Sequence, residues 1–274
     1  MNPLDLALVR DLDAVEAAAC RDMLAAAPQE LSSALGLATR EVAGATLLMA
    51  PGLPTPMFNR VIGLGNAQSA SDDDVERIAT AYREAGIRSW WIHLSPGARP
   101  ESLAAALGRR GFALPARKAW VKVLRDDPAP LEVETDVEAR PIRKGEEQAL
   151  GETLCAAFEM PASMAGWFAC LAVRPGWQAV AASDRGRIIG GGLLHLQDRF
   201  AWLGAGGVRP EARGRRAHRA LMALRIRLAI EAGRTRITTE TGEPVGDEPN
   251  PSLRNMAACG FAKVFARLNF VAPA

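Results

Sequence analysis

The stretch Val208–Leu221, VRPEARGRRAHRAL, sets five arginines among small residues directly after the hydrophobic run RFAWLGAGGV. Taken alone it fits a solvated basic face, a nucleic-acid helix, or the mouth of an anion site. Its neighbours narrow the choice. Val208 ends a strand pattern, Pro210 breaks it, and a long helical pattern begins near Arg213 or Gly214. A helix start carries unpaired N–H groups and the positive end of the peptide dipole, so a strand feeding into one makes a phosphate cradle. Arg213, Arg215, Arg216 and Arg219 add charged donors at that end.

The rest of the 274-residue chain supplies the frame. This length suits about two domains of ordinary size. With 49% hydrophobic and 23% charged residues, the composition is that of a globular protein, and a net charge of +2 is too small to call for a polyanionic partner. The N-terminus mixes Asp5, Asp11 and Asp13 with apolar residues at helical spacing and lacks a signal-peptide pattern. No uncharged stretch approaches the ~18 apolar residues of a membrane span. Cys20, Cys155, Cys170 and Cys259 form no CxxC pair and read as buried thiols, not metal ligands. The cytoplasm is the default expectation.

The acidic, proline-containing segment RDDPAPLEVETD (Arg125–Asp136) divides the chain. The expected division is a first domain at 1–126, a linker at 127–136 and a second domain at 137–274. Each side ends in strand, helix, strand, helix, strand. The motif EAG closes the first helix of each series at Gly86 and Gly233, and GF closes the second at Gly111 and Gly260, offsets of 147 and 149 residues. Repeated landmarks in the same order indicate an internal duplication, each glycine serving as a left-handed helix stop. The second half opens with a strand (VEARPIR), two helices and a three-strand meander turning at Asp184–Gly186 and Gln197–Arg199. The fold class is therefore α/β, with mixed sheets. Where the second half has arginines at its helix start, the first has SDDDVER, whose Asp72, Asp73 and Asp74 satisfy the free N–H groups and repel phosphate.

Val208, Pro210, Arg213, Gly214, Arg215, Ala220 and Leu221, with the later NPSLRNMAACGF, resemble the GNAT superfamily of acyl-CoA N-acyltransferases. That family's signature is Val-x-Pro followed by Arg/Gln-x-x-Gly-x-Gly/Ala at the start of a long helix. The resemblance runs from Val137 to the C-terminus, and the first half is similar to the degenerate member of a tandem GNAT pair. It implies two GNAT-like domains, each a mixed, mostly antiparallel sheet flanked by helices. It also implies acetyl-CoA or another acyl-CoA as co-substrate without a metal, and direct attack of a small-molecule or peptide amine on the thioester. The cofactor residues it implies are Gly206, Val208, Arg213, Gly214, Arg215, Arg216, Ala217, His218, Ser252 and Asn255. A backbone N–H near Gly206–Val208 would stabilise the oxyanion.

Two glycine positions of the signature carry Arg216 and His218, and the usual acid tyrosine is Met256. Glu240, Glu159 and His195 are the candidate bases. Phe158, Met160, Trp167 and Trp177 read either as acceptor-pocket lining or as core. A non-catalytic acyl-CoA sensor is the alternative. The expected partners include neither nucleic acid nor membrane, and a homo-oligomer stays open.

Overall fold

The computed structural model describes residues 4–273. Its eleven strands form one open sheet in the order β1-β2-β3-β4-β11-β5-β10-β9-β8-β7-β6. The first half contributes α1 (Leu6–Ala25), α2 (Gln29–Leu35), β1 (Ala38–Val42), β2 (Ala45–Met49) and β3 (Arg60–Ile62). It continues with α3 (Asp72–Glu84), β4 (Trp91–Leu94), α4 (Leu103–Arg109) and β5 (Ala119–Arg125). The second contributes β6 (Glu138–Pro141), α5 (Glu147–Ala157), α6 (Ala165–Ala172), β7 (Trp177–Asp184), β8 (Arg187–Gln197) and β9 (Phe200–Val208). It ends with α7 (Ala217–Glu231), β10 (Arg236–Gly242), α8 (Pro251–Ala258) and β11 (Ala262–Val271).

The halves are interlocked. β11, the last strand of the second half, lies between β4 and β5, and β5, the last strand of the first, lies between β11 and β10. The exchange is symmetric. Ile92–Phe270, His93–Asn269 and Leu94–Leu268 are register pairs in the first half. Thr239–Val123, Glu240–Lys122 and Thr241–Val121 are their counterparts in the second, displaced by the 147 residues that separate the EAG motifs. The segment 127–136 is irregular. The sheet nevertheless runs through both halves without a break.

The repeated glycines act as helix stops. Gly86 and Gly233 are left-handed, at φ 71° and 74°. The following Ile87 and Arg234 N–H groups return to Tyr82 and Ala229. α3 begins with a capping box, in which Ser71 accepts from the Asp74 N–H while the Asp74 carboxylate accepts from the Ser71 N–H. The Asp72 and Asp73 carboxylates, expected to cap, accept no backbone N–H among the described residues. α7 begins later than the sequence predicts, at Ala217. Pro210–Ala212 form a 3-10 turn, Arg213 is extended, and Gly214 and Arg216 have φ of 86° and 59°. A right-handed helix cannot propagate through left-handed residues, so Arg213, Arg215 and Arg216 are loop and only Arg219 lies in the first turn.

The apolar core continues across the halves. α1, α5 and α6 pack on one face, where Leu12, Val15 and Cys20 meet Leu150, Leu154 and Trp167. α7 and α8 cover the other face of the second half, through Leu221, Met222, Ile226 and Met256. Trp167 and Trp177 are buried and donate to the Met23 carbonyl and the Asp22 carboxylate. They are core and interface residues. Cys20, Cys155 and Cys259 are buried, Cys170 is half-buried, and all four are free thiols. No helix among the described residues is long and apolar enough to cross a membrane.

Candidate functional site

Each half holds one parallel strand pair, and the two pairs behave differently. In the second half β9 and β10 pair from Phe200–Arg236 to Trp202–Thr238 and then separate. In the first half β3 and β4 stay paired through Ile62–His93. His93 is the counterpart of Glu240, so the first half is still closed two residues beyond the point where the second has opened. Its loop ends are also stitched together: the Arg99 N–H donates to the Gly65 carbonyl at 3.0 Å and the Ala70 N–H to the Arg99 carbonyl at 2.8 Å. No comparable backbone bond joins the Glu243–Asn250 loop to the Val208–Arg216 loop among the described residues. The cleft belongs to the second half alone.

At its mouth stands the N-terminus of α7, with no side-chain cap. The first-turn N–H groups, on Ala217, His218 and Arg219, have no helical partner. The five arginines around them divide by partner. Arg215 donates to Asp136 and Asp184, both at 2.6 Å. Arg216 donates to the Glu134 carbonyl at 3.1 Å, with the Glu134 carboxylate 3.7 Å away. The linker therefore neutralises both. Arg209 donates to the Thr153 hydroxyl, Arg213 to the Val208 and Ala157 carbonyls, and Arg219 to Asn255 Oδ1 at 2.8 Å. None of these three has a carboxylate partner among the described residues, and Arg213 is exposed at the loop. Arg216 thus takes up the left-handed backbone expected of a glycine while its side chain is tied to the linker.

Deeper in, β9 bulges. Gly204 and Gly207 pair with Leu193 and Gly191, so Ala205 and Gly206 together face Gly192. Ala205 is left-handed, at φ 44°. A bulge leaves its extra residue outside the ladder, which places unpaired backbone at Ala205–Gly206, at the near end of the Gly206–Val208 segment named from the sequence. His218 lies beside it. Burial, then the Arg225 charge, lowers its pKa to about 4 against the contrary pull of the Gly206 backbone. Asn255 Nδ2 lies 3.3 Å from His218 Nδ1, so Asn255 links α8 to this corner. Ser252, half-buried on the first turn of α8, makes no side-chain bond among the described residues.

On the opposite face, toward α1, the candidate bases separate. Glu240 sits two residues past the last β9–β10 pair. Its carboxylate accepts from Lys122 Nζ at 2.7 Å and from Trp202 Nε1 at 3.0 and 3.1 Å. It braces the opening strands. Lys122 is fully buried and also meets Glu16 at 2.7 Å; Glu16 in turn meets Arg267 and Arg60. Burial would raise the Glu16 pKa, but Arg267, Lys122 and Arg60 hold it well below the usual carboxylate range. Asp13 joins through Arg267, Ser95 and Asn66. The cluster carries three carboxylates and three cations and reaches from α1 across β3, β11, β5 and β10.

Glu159 is exposed, at φ 56°, just beyond α5. Its neighbour Phe158 lies over β9, where a Cβ built on Gly207 would meet the Phe158 ring at 3.4 Å. His195 is elsewhere: it pairs with Trp202 on the laddered part of β8 and packs on Trp177, toward the hairpin turn and away from the cleft. Met256 is buried in the core beneath α7. Tyr82, the only tyrosine, is buried in the first half and donates to the Leu48 carbonyl. Among the described residues no group of three or more His, Cys, Asp or Glu is arranged around a common metal position.

Lys122, Glu16 and Arg225 were not singled out by the sequence. Lys122 alternates with valines in AWVKVL, where a charge inside a strand pattern was the available signal. Glu16 and Arg225 sit in helical patterns that give no hint of the partner they meet.

The description "Acetyltransferase (GNAT) family" belongs to the family model that matches residues 148–261. No curated protein matches the sequence. Among solved structures, a GCN5-related N-acetyltransferase from Kribbella flavida is 17% identical with a TM-score of 0.63, over 95% of each chain. A tandem GNAT protein from the clavulanic acid biosynthesis pathway is 16% identical with a TM-score of 0.61, over 86% of this chain and 81% of that one. A GCN5-related N-acetyltransferase from Sphaerobacter thermophilus is 16% identical with a TM-score of 0.60, over 83% of this chain and 79% of that one. At such identities these likenesses speak for the fold.

Proposed function

We propose that the GNAT domain at residues 148–261 binds an acyl-CoA, acetyl-CoA in the simplest case, and directs its acyl group to a small-molecule or peptide amine. The observation that carries this reading is the coincidence, in the second half only, of an uncapped helix start and a parallel strand pair that opens beside it. The residues suit such a molecule. The α7 N–H groups and Arg213 would hold the pyrophosphate, with Arg219 and Asn255 alongside. The separated edges of β9 and β10 offer backbone to amides of the pantetheine arm. Bound there, an acyl-CoA supplies an activated thioester.

The chain's own residues do the rest. The bulge at Ala205–Gly206 presents backbone N–H toward developing negative charge on the carbonyl oxygen. Phe158 and the turn at Glu159 bound the acceptor side, and Glu159, which has no ion-pair partner among the described residues, takes the proton from the ammonium form of the acceptor. Glu240, already engaged by Lys122 and Trp202, holds the opening of the strands. With Met256 in the core, the departing thiolate takes its proton from solvent. The first half contributes β5 and, through Lys122, the brace on Glu240, and binds no cofactor itself.

Calorimetric titration with acetyl-CoA, followed by thiol release over a panel of amines, tests the proposal. Saturable binding and amine-dependent thiol release are expected; no binding at millimolar acetyl-CoA overturns it. The buried Met256 in place of the acid favours a second reading, a sensor that binds acyl-CoA without turnover, and binding with no release from any amine supports that instead. Duplex DNA is expected to bind weakly at most, because carboxylates already neutralise Arg215 and, at longer range, Arg216.

A further inference from the structure

One cation near the site takes no part in that scheme. Arg225, on α7, is 2% exposed and has no carboxylate partner among the described residues. Its Nε donates to the Leu221 carbonyl at 3.2 Å, and its Nη1 to the Leu193 and Gly204 carbonyls, both at 3.1 Å. Nη2 has no protein acceptor among the described residues and faces Gly206. A Cβ built on Gly206 would lie 2.6 Å from Nη2, and one on Gly192 would lie 2.8 Å from Cζ. The two strands are thus bare of side chains where the guanidinium lies.

A buried charge without a counter-ion costs several kcal/mol, and a leucine would fill a helix–sheet interface without that cost. The neighbours of Arg225 on α7 follow the cheaper rule: Leu221, Met222, Leu224 and Ile226 are all apolar. The exception stands directly behind the one bulge in β9. Burial pulls its pKa down to about 10, so it keeps its charge at neutral pH.

We propose that Arg225 is a positioning residue of the acyl-transfer site. It fixes the β9 bulge through the Gly204 carbonyl and sets a permanent positive charge behind the peptide that faces the developing oxyanion. This rests on the acyl-transfer reading. Its two roles separate in principle: the hydrogen bonds hold the bulge whether or not ligand is bound, while the charge acts only as negative charge develops.

The test compares wild type, Arg225→Met, Arg225→Lys and Gly206→Ala by amide hydrogen exchange over Ala201–Val208, acetyl-CoA calorimetry and thiol-release kinetics. Arg225→Met is expected to speed exchange at the bulge and lower kcat on the order of 10- to 1000-fold, while acetyl-CoA affinity holds because the pyrophosphate sits elsewhere. Arg225→Lys is expected to recover part of kcat, as a filler would not. Gly206→Ala strikes the same contact from the strand and is expected to loosen the bulge with the arginine still present, which serves if Arg225→Met does not fold. Wild-type kcat in Arg225→Met, or bulge amides as protected as in wild type, overturns the assignment. If wild-type protein binds no acetyl-CoA, the acyl-transfer reading fails, and exchange at the bulge still decides whether Arg225 holds it.

Discussion

The parallel strand pairs β3–β4 and β9–β10 occupy matching places in a nearly symmetric sheet, yet one is shut and the other open. Three local differences account for this. The shut pair keeps its ladder through His93, and the open pair stops at Thr238. The shut pair's loop is stitched by Arg99 to Gly65 and Ala70, whereas among the described residues the Glu243–Asn250 loop makes no such backbone bond to the Val208–Arg216 loop. The shut half caps its helix with Ser71 and Asp74, and the open half leaves α7 uncapped behind Gly214 and Arg216. Duplication supplies the scaffold twice. What decides whether it can hold an anion is the choice at the helix start and at the strand ends.

The sharpest way to break the comparison is to remove what both halves share. Lys122 comes from the first half, but its ammonium serves Glu16 on α1 and Glu240 in the second. Burial lowers the Lys122 pKa and the two carboxylates raise it, with a net rise. Lys122→Met leaves Glu16 and Glu240 each short of a cation, and breaking a buried pair in this way costs about 3–5 kcal/mol. Urea unfolding is expected to show that loss in one transition for the whole chain, because β5 and β11 tie the halves into one sheet. Two separate transitions would show that the halves are independent.

Next in size are changes at the helix start. Arg213→Ala removes a charged donor at the loop and is expected to weaken acetyl-CoA binding by about 1.5–3 kcal/mol, measured by calorimetry. Arg216→Asp gives the second half the acidic start of the first and is expected to weaken binding by about 1–2 kcal/mol relative to Arg216→Gly. Arg216→Gly itself is expected to bind as wild type does and to gain up to about 1 kcal/mol of stability, since φ 59° suits glycine. Markedly tighter binding by Arg216→Gly would mean that the arginine obstructs the loop after all.

The fold was largely legible because its signals are local. The EAG and GF stops and the alternating strands each depend on a few adjacent residues and reappear in place, and of the SDDD start Ser71 and Asp74 form the cap. The start of α7 was misplaced by a few residues, because Gly214 looks like a tolerated helix glycine until Arg216 is also seen to be left-handed. The interleaving of β5 and β11 was not legible: a strand's sequence does not name its neighbour when both flanks are apolar. For the same reason the site was only half legible. Val208, Arg213 and Gly214 follow from a contiguous motif. The fates of Glu240 and His195 depend on strand register, and Lys122 and Arg225 acquire meaning only through residues on other elements, distant in the sequence.

The smallest expected effect concerns the three histidines, one in the first half and two in the second. Burial lowers the pKa of each: His93 well below its usual value, His195 below its usual value, and His218 to about 4. Each is therefore neutral in the folded chain at neutral pH. An unfolded histidine titrates near 6.5, so between that value and the folded one the unfolded chain binds more protons, and stability falls as pH falls. The stabilising effect is complete above about pH 6.5, and for His218 it is lost as the pH approaches 4. At pH 6 the loss is expected to be under about 1 kcal/mol per histidine. Denaturant midpoints at pH 7 and pH 6 measure it, and His218→Gln and His93→Gln are each expected to flatten the slope. If only His93→Gln does so, the His218 corner is open enough to solvent for the ring to titrate normally. The cleft of the second half would then extend beneath α7, further than the capped and stitched first half allows at His93.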